Sequence, residues 1–331
     1  MSNRGKIALV IAGGQMCMRR NPQTDIRQPT LPVEEMLSWL PEAQREKLFV
    51  VDWSRQPSSH YTLRMTGDLI QVLSKSVVDG AGGLVVTCGT DTIEEMAYLT
   101  DLYWAYPQPV IFTAAHRPFD SIGSDAPLNL YQSVLAALSG ECWGMGVLVC
   151  LQDQLFAAAE ITETANQRRC SFLSPDRGPL GQFIGDRVDI LRQYRRTRVL
   201  DESSPPARDV EVLYASLGGG DRILELLVPD EKRQLDGLVI AAFGGGNVPP
   251  SWVPYIKKLC KEEVPVVIVS RCQKGHTLAA PNNFEGSMNR LLEIGVLDGG
   301  PLTPMQARIK LAAGLGAGLR KTALQTYLLE D

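Results

Sequence analysis

A hydroxyl, a carboxylate and a glycine backbone meet in one short stretch of this chain. Thr90 and Asp91 follow Gly89 directly after the apolar run at 83–86, and a helical pattern begins at Thr92. In a parallel sheet this is a strand-to-helix turn at the carboxyl end of a buried strand, where ligands bind. The free N–H groups of the helix N-terminus add donors for a polar ligand, which we expect to be anionic. The stretch therefore predicts a functional pocket.

Alternation of short apolar strands with helical patterns predicts the frame of this pocket, typical of a parallel sheet covered on both faces. Strands are predicted at 6–11, 48–51, 83–86, 110–113 and 146–151, and helices at 65–78, 92–104 and 130–138. These elements form an N-terminal α/β domain at 1–200.

A polar, proline-containing stretch at 201–208 predicts a linker. A smaller α/β domain follows at 209–331. Its strands are predicted at 210–214, 237–242 and 264–269, and its helices at 249–262 and 304–317.

Composition excludes several classes of protein. The net charge of −4 over 331 residues argues against a nucleic-acid-binding surface, and the basic run at 192–198 is expected to be solvated. No apolar stretch reaches the roughly 20 residues of a membrane span, and the segment at 7–12 is too short for a signal-peptide core. Seven cysteines without CxxC spacing predict reduced thiols in a cytoplasmic protein. The three histidines are not grouped as zinc ligands, so we expect no metal and no cofactor.

Several motifs occur together in the order found in one enzyme family. They are Gly13-Gly14, Gly89-Thr90-Asp91-Thr92, Arg117-Pro118, Gly178-Pro179-Leu180-Gly181, Gly246-Asn247 and Ser270-Arg271. In their order and spacing the chain resembles the bacterial-type L-asparaginases and glutaminases over nearly its whole length. The resemblance implies a two-domain asparaginase-like α/β fold, with a larger N-terminal parallel-sheet domain and a smaller C-terminal α/β domain. It also implies a small-molecule substrate and a homodimer or homotetramer with shared sites.

The family's catalytic set is only half matched. The family uses a threonine after the paired glycines, and a second threonine with its adjoining aspartate and a lysine. Thr90 and Asp91 match the second group, whereas Gln15 stands at the position of the first threonine and Glu163 at that of the lysine. The tyrosine of the family's flexible loop has no counterpart at 19–32.

These departures change the expected chemistry. The amide of Gln15 is not a nucleophile. Two carboxylates that share a site cannot both ionise cheaply, so one pKa should rise. We therefore predict that Asp91 and Glu163 do acid/base work while Gln15 and Thr90 orient the substrate, and that asparagine hydrolysis is lost. Cyclisation, elimination or rearrangement in specialised metabolism fits such a pair.

Further substrate-binding residues are expected at neighbouring strand ends and in the second domain. The resemblance implies that Ser54 holds a carboxylate, and that Asn247 reaches a neighbouring subunit's site. The acidic residue that the family places in this second-domain loop cannot be assigned within 279–298. The expected substrate-binding set is Gly14, Ser54, Arg55, Gly89, Ala115 and Asn247.

Alternative interpretations stay open for single residues and for the whole chain. Thr90 could cap the following helix, Glu163 could face solvent, and Arg55 could be an ordinary surface arginine. Cys17 is either a substitute nucleophile or, as we expect, a buried structural thiol. Instead of the altered enzyme, the chain could retain amide hydrolysis through Thr90, or be a non-catalytic protein that binds an amino acid.

Overall fold

The computed structural model describes residues 5–166, 168, 170–228 and 234–330. The chain forms two compact units that divide between Glu202 and Ser203. Each unit contains its own sheet.

The first unit is built on an eight-stranded sheet with the order β12-β11-β8-β7-β6-β5-β1-β4. Its strands are β1 Ile7–Ala12, β4 Leu48–Ser54, β5 Gly83–Thr87, β6 Val110–Thr113, β7 Val147–Leu151, β8 Gln154–Ala157, β11 Gly181–Ile184 and β12 Arg187–Ile190. Two short hairpins lie outside the sheet, and their strands are β2 Arg19–Arg20 with β3 Arg27–Gln28, and β9 Thr162–Glu163 with β10 Phe172–Leu173.

Helices cover both faces of this sheet. They are α1 Val33–Leu37, α2 Glu42–Arg45, α3 Leu63–Val78, α4 Ile93–Tyr103 and α5 Ala126–Leu138. Side chains of β1 alternate between two cores, as expected for a strand buried on both sides. Leu9 and Ile11 pack in the core that contains Leu130 of α5, whereas Val10 packs with Leu69 of α3 and Met96 of α4.

The predicted α/β class is confirmed, but the large sheet is mixed rather than wholly parallel. Strands β4, β1, β5, β6 and β7 run parallel. The chain then turns back, and β8, β11 and β12 extend the sheet by antiparallel pairing. Tight turns make this possible, because adjacent antiparallel strands need no crossover helix. The sequence reading missed these three short strands.

The basic run at 192–198 is not simply a solvated surface, which corrects that expectation. The Arg192 guanidinium pairs with Glu160, whose side chain is 9% exposed. The Arg196 guanidinium lies 3.0 Å from the Asp101 carboxylate, whose side chain is 1% exposed. Burying a carboxylate is costly unless it is paired, so both arginines are internal counter-ions.

The second unit contains a four-stranded parallel sheet with the order β13-β14-β15-β16. Its strands are β13 Val210–Tyr214, β14 Gly237–Ala242, β15 Val266–Ser270 and β16 Leu297–Asp298. Its helices are α6 Asp221–Leu227, α7 Val253–Lys261, α8 Met288–Glu293, α9 Pro304–Gly316 and α10 Lys321–Leu329.

The described residues lack two kinds of feature. They contain no helix long and apolar enough to cross a membrane. They also contain no group of three or more His, Cys, Asp or Glu side chains arranged to hold a metal ion.

Candidate functional site

The predicted turn follows β5, an interior strand of the large sheet. The strand is buried throughout, and it lies between β1 and β6. A short 3₁₀ turn, Thr90–Thr92, follows it and leads into α4. Thr90 is half-buried and Asp91 is exposed. The N-cap position of α4 is Thr92, so Thr90 does not cap that helix.

The paired glycines bring the end of β1 against this turn. Gly14 has φ 78° and ψ −175°, a conformation essentially confined to glycine. A Cβ atom on Gly14 would lie 2.1 Å from the Cys88 carbonyl oxygen and 2.5 Å from the Gly89 nitrogen. Only a glycine therefore permits this approach. It places Gln15, the next residue, beside the segment that carries Thr90.

Gln15 contributes a buried acceptor. It opens a 3₁₀ turn, Gln15–Cys17. Its Oε1 atom is shielded from solvent and has no hydrogen-bond partner among the described residues. Buried polar atoms are nearly always paired, so this amide is suited to a donor that a ligand supplies.

Glu163 reaches the same turn from β9. Its Cα is paired with that of Phe172 on β10. Glu163 is exposed to solvent, as the alternative interpretation allowed, but the hydration that it loses on folding and the negative charge of Asp91 both raise its pKa above the ordinary value. The two carboxyl groups therefore interact, and the pKa shift has the direction expected of a shared pair. Two such carboxylates disfavour the anionic ligand that the helix N-terminus alone would favour.

Glu94 is a site residue that the sequence reading missed. Its Oε2 atom accepts the main-chain N–H of Glu163 at 2.7 Å. Burial is the main cause that raises its pKa, and the hydrogen bonds from Glu163 and Thr162 oppose the rise. Its sequence signals are an acidic position in the first turn of α4 and its place, with Glu95, in the family motif that begins at Gly89.

Of the serines at and after the end of β4, Ser58 lies at the turn. A Cβ on Gly89 would lie 2.3 Å from the Ser58 Oγ, so the two residues are in direct contact. The Thr92 hydroxyl donates to the Ser58 carbonyl at 3.1 Å. Ser54 ends β4, paired with Ala12, and its Oγ accepts the Gln56 N–H at 3.4 Å.

The Arg55 guanidinium has protein partners. It donates to both carboxylate oxygens of Asp52, at distances from 2.9 to 3.2 Å, and to the Leu31 carbonyl at 2.6 Å. These contacts hold the backbone segment that leads into α1. They favour the structural interpretation of Arg55 over recognition of an anion.

His116 connects the end of β6 to the hairpin that carries Glu163. It follows Ala115, which is buried next to the end of β6. Its Nε2 atom lies 2.5 Å from the Oγ of buried Ser171, and its ring lies 5.7 Å from that of Phe172. Burial lowers the pKa of His116, and the Asp125 carboxylate acts in the opposite direction. A neutral imidazole is therefore favoured near pH 7.

The β2–β3 hairpin, residues 19–28, forms a strap that contacts the loop after β6. It follows β1, and the Arg27 guanidinium at its far end pairs with Asp120, which follows β6. The Arg27 guanidinium also donates to the Ser121 hydroxyl at 3.2 Å. The strap is therefore fastened to the loop that follows β6.

Cys17 has the environment of a structural thiol. Its side chain is fully buried, and its Sγ donates to the Gly13 carbonyl at 3.4 Å. Burial raises the pKa of this thiol to about 11. The nucleophilic thiolate is thus scarcely populated at neutral pH.

Asn247 belongs to the second unit. It lines a cavity of about 190 Å³ together with other residues of that unit. The remaining lining residues are Gly245, Leu278, Ala280, Asn282 and Met288.

Comparison with known proteins decides the family. Residues 6–196 match the family model "Asparaginase, N-terminal", and residues 209–328 match "Glutaminase/Asparaginase C-terminal domain". The chain belongs to the asparaginase family. The relatives found by similarity include proteins named L-asparaginase and glutaminase-asparaginase, which are enzymes.

Individual relatives match this asparaginase-family chain from end to end. The probable L-asparaginase of Deinococcus radiodurans is 30% identical over 95% of this chain and 94% of its own length. The L-asparaginase of Bacillus licheniformis is 26% identical over 94% and 96%, respectively. The crystal structure of a probable cytoplasmic L-asparaginase from Campylobacter jejuni superposes with a TM-score of 0.88 over 99% of this chain and 100% of that one. At 24% identity, that likeness concerns the fold.

Proposed function

We propose that this asparaginase-family protein is an enzyme that acts by acid/base chemistry on a small amide, acid or amino-acid-like metabolite. Glu163 and Asp91 exchange the protons, and Gln15 and Thr90 orient the substrate. The reaction is a cyclisation, elimination or rearrangement in specialised metabolism rather than amide hydrolysis.

The observation that carries the proposal is the environment of Glu163. Its pKa is raised by the hydration that it loses on folding and by the charge of Asp91. A carboxylic acid whose pKa moves toward neutrality is a better general acid, and its carboxylate a stronger base, than an ordinary surface glutamate. Asp91 is then the second carboxyl group of the proposed pair.

The charge around Thr90 argues against amide hydrolysis. Formation of a threonine alkoxide needs a neighbouring base or a positive field. The charge that acts on Glu163 comes from Asp91 and is negative. The resemblance implies a lysine at the position of Glu163, and its exchange reverses the sign of the field.

The environment of Gln15 supports its proposed role in orienting the substrate. Its buried, unpaired Oε1 would accept an N–H or O–H group of the substrate. The contact between Gly14 and Gly89 supports a position of that amide near Thr90, and the Ser58 hydroxyl also lies against Gly89. Ser54, Ala115 and, in a homodimer or homotetramer, Asn247 complete the proposed binding set.

The cellular setting is proposed to be the cytoplasm. The described residues include free cysteines that are buried, such as Cys88 and Cys150, and exposed ones, such as Cys272. Unpaired exposed thiols are typical of a reducing compartment.

The proposal is tested by incubating purified protein with a metabolite extract of its source organism and following the extract by mass spectrometry. We expect one small metabolite to be consumed and a product to appear. The Glu163→Gln variant should slow this conversion by at least about 100-fold, which is the usual contribution of a general acid or base. Glu46→Gln, on the exposed end of α2, is the matched control and should keep the full rate.

Two results would contradict the proposal. Full activity in Glu163→Gln would show that this carboxyl group transfers no proton. A ligand that binds tightly but is recovered unchanged would instead indicate a binding protein.

A further inference from the structure

Glu94 is an acidic residue that loses hydration without gaining a cationic partner among the described residues. It lies in the first turn of α4, where the helix dipole favours a negative charge. An exposed carboxylate would gain that interaction without losing its hydration. Glu94 is instead half-buried, loss of hydration is the main cause that raises its pKa, and the charges that act on it, from Glu95 and Glu163, are negative. Burial without a cation is unfavourable, so the local helix does not explain it.

The contacts of Glu94 lie in a distant part of the chain. Its Oε2 accepts the Glu163 main-chain N–H at 2.7 Å, across 69 residues of sequence. Thr162 also acts on this carboxyl group, since it lowers the Glu94 pKa. Both residues belong to β9, so the half-buried Glu94 carboxylate interacts with both residues of that strand.

Strand β9 needs such an anchor. It has two residues and pairs with the equally short β10, and an isolated hairpin of this size is not stable by itself. Past its end, the Thr164 N–H donates to the Ser171 carbonyl at 2.7 Å. The Glu163 end is held by Glu94. Without this contact the Glu163 main-chain N–H would need another hydrogen-bond acceptor.

We propose that Glu94 is a positioning residue, whose carboxylate accepts the Glu163 main-chain N–H and thereby holds the Glu163 side chain beside Asp91. The inference rests on the proposed acid/base role of Glu163, but it concerns geometry and does not require turnover. Asp91, Glu94 and Glu163 then form one unit, in which the 3₁₀ turn supplies Asp91 as the partner of Glu163 and α4 supplies Glu94 as its anchor.

The test measures whether Glu163 still senses Asp91. Protein labelled with ¹³C-carboxyl glutamate is titrated by NMR, and the Glu163 resonance is assigned by its loss in Glu163→Gln. Asp91→Asn is then introduced into three backgrounds: wild type, Glu94→Gln and Glu94→Met. Glutamine keeps an acceptor without the charge, whereas methionine has a similar size and no acceptor.

In the wild type, Asp91→Asn should lower the pKa of Glu163, because a neighbouring negative charge is removed. The same decrease should persist with Glu94→Gln and disappear with Glu94→Met. If Glu94→Met does not fold, Glu94→Ser repeats the test with room for water.

An undiminished decrease in the Glu94→Met background would overturn the positioning role. Loss of the decrease in Glu94→Gln as well would overturn the proposed hydrogen bond, since its acceptor is retained there. A failure of the proposed function is distinguishable, because Glu163→Gln would then keep its conversion rate while the titration result stood.

Discussion

The backbone of Gly14 lies directly against the backbone of Gly89, so close that a Cβ on Gly14 would lie 2.5 Å from the Gly89 nitrogen. This contact joins the ends of β1 and β5, and it brings Gln15 and Thr90 into one site. The site therefore depends on a glycine at a position where its φ of 78° is also unfavourable for other residues.

Gly14→Ala should destabilise the protein by about 2 kcal/mol or more, since strain and overlap with backbone atoms add. Urea unfolding provides the measurement. Gly67→Ala is the matched control. Gly67 lies within α3 with open space around its Cα, so alanine should stabilise the fold by about 0.5–1 kcal/mol. Equal effects of the two substitutions would contradict the close contact of Gly14.

Glu163→Gln should raise the thermal stability of the protein at neutral pH. The pKa of Glu163 is raised in the folded state, so its protonated form favours folding. That contribution is fully present below the ordinary carboxyl pKa and is lost as pH rises through the raised value. The variant's advantage in melting temperature should therefore appear at pH 7–8 and vanish near pH 4. An advantage that is the same at both pH values would contradict the raised pKa.

Asp120→Asn should loosen the strap, residues 19–28. The Arg27–Asp120 ion pair and the Arg20 N–H contact both end on this carboxylate. Trypsin should then cut after Arg20 or Arg27 sooner than in the wild type. The control is Asp79→Asn, which removes the exposed Lys75–Asp79 pair on α3 and should leave cleavage of the strap unchanged. Equal cleavage in both variants would show that Asp120 does not fasten the strap.

Much of the frame could be predicted from sequence because its signals are local. The buried run of β5 and the turn residues Gly89 and Thr90 are adjacent in the chain, and β6 was predicted at its observed bounds. The antiparallel extension was missed, since β8 and β11 have four residues each and lack a long apolar run.

The contacts within the site were harder to predict because they join distant segments. The Glu94 carboxylate accepts a hydrogen bond from the Glu163 main-chain N–H, 69 positions away in the sequence. No local sequence pattern predicts such a bond. Arg196 pairs with Asp101 from a run that looks like solvated surface. Only three residues separate Ser54 from Ser58, and only the folded chain shows which of the two serines lies against Gly89.

Release of ammonia from L-asparagine and L-glutamine tests the central claim most directly. The claim is that Gln15 and Glu163 have replaced amide hydrolysis by acid/base chemistry. Purified wild-type protein should release no ammonia from either amide. A double variant, Gln15→Thr with Glu163→Lys, returns the residue types that the family resemblance implies, and it should gain measurable hydrolysis. Wild-type turnover at ordinary enzyme rates, about 1–10³ s⁻¹, would contradict the account.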